Sequence, residues 1–406
     1  MNSQFSDLSI EVTRKLTKKE KQDYGFFVTP RAILEKLFAC IQEHLGLNKP
    51  IDIIEPSCGT CEIVNCIDNM FNNANIDAVE LNQTIYKSIE DLKFKNNVTL
   101  MNKDFMSLTK TKQYDLLVTN PPYFVCDKKY VPVEYKEYIC GRPNIFGLFI
   151  IHSIHLVKPG GLLAFILPKS FMNSVYYSKI RQFVKETCTI LQIIDFEEHK
   201  KFIDTEQSTI GLVLRKTGPS ILSNCEYSIK IGNQYIFTTD GSLLKQIFEG
   251  ATTIEALGLR VRTGQVVWNE QKSLLTNDEN DTLLIYNTNV TDQHTIKTNQ
   301  FKNIEKGQYI KRDGRADPIL IVNRGNGNSK YNLKYAIVDT NKPYLVENHL
   351  NEIYHATPID KKELLELFRK ISNSFTNPRT KQFIDLYLGN NGLSKTELES
   401  IFPIYL

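Results

Sequence analysis

The sequence predicts an α/β protein: a doubly wound parallel sheet in its first part, then a smaller domain of mixed α+β structure. Three observations carry this. Short apolar runs recur through the first half, separated by segments of helical spacing. The chemically unusual residues of that half fall just after those runs, where open α/β sheets bind ligands. Near Asp240 the rhythm stops, the apolar runs shorten, and Asn and Thr become more frequent.

The strand-like runs are Ile51–Ile54, Ile76–Leu81, Val98–Met101, Tyr114–Thr119, Leu162–Leu167, Leu191–Phe196 and Thr209–Leu214. Helices are expected over Arg31–Leu45, Thr84–Phe94, Asn144–Val157 and Tyr177–Glu186. Strands alternating with helices at this spacing imply crossover connections, hence a parallel sheet with helices on both faces. After Asp240, Leu283–Tyr286 and Ile319–Val322 read as strands, and Lys361–Ser372 and Arg379–Leu388 as helices. The chain therefore divides into residues 1–240 and 241–406.

Composition excludes several classes. Of 406 residues, 41% are hydrophobic and 23% charged, enough apolar material for packed cores and too much for wholesale disorder. The most apolar stretch, Ile145–Val157, is broken by His152, Ser153 and His155 and falls short of the roughly 18 residues a membrane span needs. Met1–Lys21 is polar, without the apolar region of a signal peptide. Eight cysteines are too sparse for a disulfide scaffold and fit reduced thiols in a cytoplasmic setting. Cys58, Cys61 and Cys66 lack the second ligand pair of a structural zinc site, so no metal is expected. Net charge is only +3, but Lys297–Lys334 holds nine basic residues against three acidic ones. That excess suits a polyanion as well as it suits a solvated surface.

The chemistry centres on Asn120-Pro121-Pro122-Tyr123, which follows the run ending at Thr119. Two prolines freeze the turn. A rigid turn there makes sense if the Asn120 amide oxygen and the Pro121 carbonyl must be held still to grip a planar NH2 group, with Tyr123 beside them to stack on a flat ring. Glu55-Pro56-Ser57-Cys58-Gly59-Thr60 is a strand-to-helix turn whose small residues let backbone amides approach a ligand. It lacks Gly-x-Gly-x-x-Gly, so a dinucleotide is not its obvious ligand. Glu80 ends the next run, placed to take ribose hydroxyls, and Asp104 follows the third, placed to accept from an exocyclic amine. Each acid alone reads as a helix cap. Unusual residues at four successive strand ends do not reduce to capping.

These motifs resemble those of the S-adenosyl-L-methionine-dependent DNA adenine-N6 methyltransferases, whose signature is Asn-Pro-Pro-Tyr. Their order resembles the gamma group of type II restriction-modification methylases. The resemblance implies a Rossmann-like methyltransferase sheet with a C-terminal target-recognition domain, S-adenosyl-L-methionine as cofactor and double-stranded DNA as substrate. It also implies a cognate restriction endonuclease acting separately, or an orphan or viral equivalent. Within it, Gly25-Phe26-Phe27-Val28-Thr29-Pro30 matches an N-terminal motif, which puts Thr29 and Pro30 near the methionine end of the cofactor. Glu55, Pro56, Ser57 and Gly59 become the cofactor loop, Glu80 the ribose ligand, and Asp104 with Phe105 the adenine site. Phe146, in Asn144–Phe149, becomes the aromatic flanking the cofactor adenine, and Phe202 the one that stacks on a flipped base. Cys61-Glu62 departs from the small or aromatic residues usual in that loop. Val261–Asn269, Leu320–Gly325 and Glu347–Leu350 resemble target-recognition sequence. Arg262, Lys272, Arg312, Arg315 and Arg324 are then candidates for DNA contacts, and Trp268 is either a core residue or a wedge.

Two other readings stay open from the residues. Protein-glutamine N5 methyltransferases and some ribosomal RNA base methylases share Asn-Pro-Pro-Tyr, usually in shorter chains. A modification subunit that depends on a separate specificity protein is the other.

Overall fold

The computed structural model describes residues 4–17, 19–21, 25–45, 50–109, 111–196, 208–218, 226–325, 331–388 and 392–406. The chain forms two compact units, Met1–Gly241 and Ser242–Leu406. Among the described residues no helix is long and apolar enough to cross a membrane.

The first unit runs α1 (Asp7–Lys15), α2 (Arg31–His44), β1 (Ile51–Glu55), α3 (Glu62–Met70), β2 (Ala74–Glu80), α4 (Gln83–Ile89), β3 (Asn97–Asn102), β4 (Tyr114–Thr119), α5 (Ile145–Leu156), β5 (Val157–Pro168), α6 (Ser178–Thr187), β6 (Cys188–Asp195) and β7 (Thr209–Lys216). These strands make one sheet in the order β3-β2-β1-β4-β5-β7-β6, and a separate antiparallel pair, β8 (Ser228–Ile231) and β9 (Gln234–Phe237), follows in the chain. The expected apolar runs all fall on the strands of the large sheet. Neighbours from β3 to β5 pair in parallel. The all-parallel expectation fails at β7, which is antiparallel to both β5 and β6. β6 and β7 are consecutive among the described elements and pair side by side, and adjacent strands that follow one another in this way commonly run antiparallel.

Successive residues on the central strands face opposite cores, as the two-residue period of a strand requires. Ile53, Leu116, Leu162 and Ala164 join the core that includes α2 and α3 residues such as Leu37 and Val64. Ile54, Leu117, Leu163 and Phe165 join the core that includes α5 and α6 residues such as Ile150 and Val184. Helix α3 is the helix that the Glu55–Thr60 turn implies, although the sequence alone gives it no bounds. Its Asn and Asp residues read as turn formers, while burial of Ile63, Val64 and Ile67 against the sheet holds it helical.

The second unit contains two four-stranded sheets. One has the order β10 (Leu259–Thr263), β17 (Leu350–His355), β14 (Ile319–Asn323), β15 (Tyr335–Val338). The other has β11 (Leu275–Thr276), β13 (Tyr309–Ile310), β12 (Thr282–Ile285), β16 (Tyr344–Val346). Ile319, Ile321 and Leu350 of the first pack with Ile285, Tyr344 and Val346 of the second. Helix α7 (Lys361–Phe375) follows, then α8 (Pro378–Phe383), which passes into a π-helical turn over Ile384–Leu388.

Candidate active site

The order of strands reverses between β1 and β4, and ligands of open α/β sheets bind outside the carboxyl ends at such a point. A cavity of about 390 Å³ opens there, walled by the loops after β1, β2, β3 and β4 and by residues 25–29. Thr29, Pro56, Ser57, Gly59, Glu80, Asp104, Phe105, Asn120 and Pro122 all line it. Ser57 ties two of these loops together: its hydroxyl lies 2.8 Å from Thr119 Oγ1 and donates to the Asn120 carbonyl at 3.2 Å.

Asn120 is held at both ends of its amide. Its Nδ2 donates to Thr29 Oγ1 at 2.9 Å and to the Phe27 carbonyl at 3.4 Å. A carbonyl can only accept, so this contact fixes which end of the amide is nitrogen. The Tyr123 hydroxyl sits 2.6 Å from Asn120 Oδ1 and 2.8 Å from the Ile166 carbonyl. Burial pushes its pKa well up, so it remains a donor. Gly25 is pressed against the same turn. At φ +59°, a Cβ there would lie 2.7 Å from Pro122 Cβ and 3.0 Å from the Tyr123 nitrogen. Pro30 is buried and begins helix α2.

The carboxylates are arranged around the loop after β1. Glu55 is fully buried. One of its oxygens accepts from the Ser57 amide at 3.1 Å, and the other meets no donor at hydrogen-bond distance. Burial lifts its pKa to about 8, opposed by the nearby Thr119 hydroxyl and by Ser57. Glu80 accepts from the Gly59 amide at 3.0 Å and the Asn82 amide at 2.6 Å, and burial raises its pKa too. Asp104 is exposed and caps a short turn through Met106 N at 2.9 Å. Gly59 has φ +51° and leaves the loop floor open, a Cβ there meeting only Phe26 at 3.5 Å. Two acids at adjacent strand ends, Glu80 and Asp104, and an apolar wall of Phe105, Leu148 and Phe149 line the cavity and fit an adenosyl group.

Two expected aromatic residues, Phe146 and Tyr123, stand elsewhere. Phe146 is 1% exposed and packs against Tyr123, Phe171 and Tyr177 rather than lining the cavity. On a helix, Ile145, Leu148 and Phe149 share the cavity face, and position 146 is turned about 100° from it. The Tyr123 ring is not a cavity wall: it lies against Phe27 at 6.3 Å and Phe146 at 6.0 Å, and its hydroxyl is taken up by Asn120. Phe202 lies outside the described residues. The unusual Glu62 has a structural task. Its Oε1 accepts from Ser6 N, Ser6 Oγ and Ser9 Oγ at 2.9, 2.7 and 2.6 Å, docking α1 on the loop. The serine spacing before a short helix was the available signal for α1.

In the second unit the three segments singled out in the sequence converge. Gly264 N donates to Leu350 O, Arg324 N to His349 O, and Arg324 Nη1 to Asn348 O. Arg262 Nε donates to Glu352 Oε2 at 2.7 Å, and Arg315 Nη2 donates to the same oxygen. Burial raises the pKa of Glu352, and the Arg262 guanidinium opposes the rise. Arg312 is bonded to Gln271, and exposed Lys272 to Glu305. Trp268 packs beside Val266, Leu284 and Tyr286, under the Lys306 ammonium, as a core-edge residue rather than a projecting wedge.

Comparison with known proteins adds the following. The chain is 26% identical to Type II methyltransferase M.CvrRI of Paramecium bursaria Chlorella virus XZ-6E, over 99% of both chains. It is 27% identical to Modification methylase CviBIII of Paramecium bursaria Chlorella virus NC1A, again over 99% of both. Among solved structures, the type IIG restriction endonuclease BpuSI aligns with 98% of this chain and 60% of its own, at 14% identity and a TM-score of 0.44. Residues 9–202 match the family described as Eco57I restriction-modification methylase. The part of the chain that builds the cavity and its Asn120 turn is thus similar to the Eco57I restriction-modification methylase family.

Proposed function

We propose that the chain is a site-specific DNA adenine-N6 methyltransferase, the modification enzyme of a type II restriction-modification system or an orphan or viral equivalent. The observation that carries this reading is the doubly anchored amide of Asn120, a residue that lines the cavity together with Glu80 and Asp104. Bound there, S-adenosyl-L-methionine supplies a methyl group activated on a sulfonium. Glu80 and Asp104 would accept from the ribose and the adenine amine of that cofactor.

The adenine amine is a weak nucleophile because its lone pair is delocalised into the ring. Asn120 Oδ1 and the Pro121 carbonyl accept its two N–H bonds and favour a tetrahedral nitrogen, whose lone pair then points at the methyl. The N–C bond forms as the C–S bond breaks, and the nitrogen afterwards loses a proton to solvent. No strong base is needed, and rate comes from positioning and fixed dipoles. Tyr123 donates to Asn120 Oδ1 and leaves that oxygen a second lone pair for the substrate. A duplex adenine must first be extruded, at a cost of a few kcal/mol. Basic residues of the second unit hold the duplex through its phosphates.

The test is methyl transfer from labelled cofactor to DNA, RNA and protein offered separately, with the product base identified. Label recovered as N6-methyladenine in DNA supports the reading. Label in polypeptide or RNA alone removes it in favour of the protein-glutamine or ribosomal RNA alternatives. Activity of the isolated chain excludes dependence on a specificity subunit.

A further inference from the structure

In the second unit a carboxylate sits where a sandwich of two sheets would ordinarily place an apolar side chain. Glu352 lies on β17 between Leu350 and Tyr354, which point to the same face and pack in the inter-sheet core. Its side chain is 3% exposed. Two guanidiniums reach it. Arg262 comes from β10, directly opposite in the strand register. Arg315 comes from the segment bridged to Tyr344 of the facing sheet.

The two arginines are not equivalent. Arg315 is largely covered, with its side chain 20% exposed, its main chain paired to Tyr344 and its guanidinium over the Tyr344 ring. It acts as the fixed countercharge. Arg262 is 43% exposed. Its Nε is bound to Glu352 and its face lies 4.4 Å from the Tyr354 ring centroid, while its two terminal nitrogens have no protein partner among the described residues. A flat cation pinned by one edge and one face, with its outer edge free, is preorganised to donate two parallel hydrogen bonds.

Stability does not explain the arrangement. Buried ion pairs roughly break even against apolar residues of the same shape. We propose that Glu352 is a positioning residue which aims the outer edge of Arg262 at a guanine edge of the bound DNA. The inference rests on the reading of this chain as a DNA methyltransferase and names one residue pair through which it selects its site. Guanine O6 and N7 are the paired acceptors that such an edge matches in the major groove.

Charge and position pull in opposite directions here, and the test uses that. Glu352→Gln keeps the shape but removes one negative charge, so simple electrostatics predicts tighter binding to any DNA. Positioning predicts instead that discrimination is lost. The experiment sequences N6-methyladenine in genomic DNA treated with the full chain and with Glu352→Gln and Arg262→Gln. It also measures rates on the preferred site and its single-base variants, together with cofactor affinity. Both variants are expected to relax the recognised sequence at the same guanine position, by about 5- to 100-fold in the rate ratio. The double variant is expected to lose no more than either single one, and cofactor affinity to stay unchanged. An unchanged recognition sequence, or a loss uniform across all sites, overturns the proposal. Should Glu352→Gln not fold, the half-exposed Arg262→Gln decides on the same criterion. Failure of the parent reading looks different: the unaltered chain would leave DNA unmarked, and this proposal would fall with it.

Discussion

The Tyr123 hydroxyl and the Asn120 side-chain oxygen are 2.6 Å apart, and this contact sets the orientation of the amide at the centre of the site. With the Asn120 nitrogen committed to Thr29 and Phe27, its oxygen has one direction left to face. Replacing Tyr123 by Phe removes the donor and keeps the ring. Turnover is expected to fall about 2- to 10-fold, with cofactor affinity intact. The loss should be the same whether the target adenine is paired or mismatched. A loss confined to paired targets would instead tie the hydroxyl to extrusion of the base rather than to the amide.

Asn120→Ala deletes the acceptor itself. Methyl transfer should drop by at least about 10²–10³-fold, the usual cost of losing a preorganised hydrogen-bond partner of the reacting group. Binding of the cofactor, followed by calorimetry, should persist. Near-normal turnover would show that the reacting amine is gripped elsewhere.

Gly25→Ala tests the close approach of the N-terminal segment to the turn. The added methyl meets Pro122 at 2.7 Å in a backbone conformation that suits glycine. A loss of about 1–3 kcal/mol in folding stability is expected, measured by denaturant titration. Unchanged stability would mean that this contact yields freely.

Phe149→Ala opens the cavity wall, whereas Phe146→Leu alters the packing behind it. The first should weaken cofactor binding by about tenfold, since roughly 1.5–3 kcal/mol rides on burying such a side chain. The second should leave that affinity within about twofold while lowering the melting temperature. The reverse order would return Phe146 to the cofactor.

Glu55 gives a pH signature. Its carboxyl ordinarily titrates at 4.5, and burial without a cationic partner lifts this to about 8. Between those values the folded chain holds a proton that the unfolded chain has released, so stability falls as pH rises through that window. Glu80, also raised by burial, adds to the same slope. Glu55→Gln cannot ionise, and its melting temperature should decline less between pH 5 and 8. Parallel curves for the two proteins would exclude a buried neutral Glu55.

Local sequence determined much of this protein. Strand runs, the Asn120 turn and the carboxylates at the ends of β2 and β3 were legible because apolar periodicity and proline rigidity act over a few residues. Three things were settled only by tertiary structure. The direction of β7 depends on the strands it returns between, not on its own residues. Phe146 and Phe149, three positions apart on one apolar helix, divide between core and cavity according to what packs against each face. Arg262 and Arg315, alike in sequence as basic residues, share the Glu352 carboxylate but differ in cover, Arg315 being 20% exposed against the Tyr344 ring and Arg262 43% exposed. Local patterns fix what a segment can form. Which side chain is left free to do chemistry is fixed by neighbours distant in the chain, whose burial and charge no short window contains.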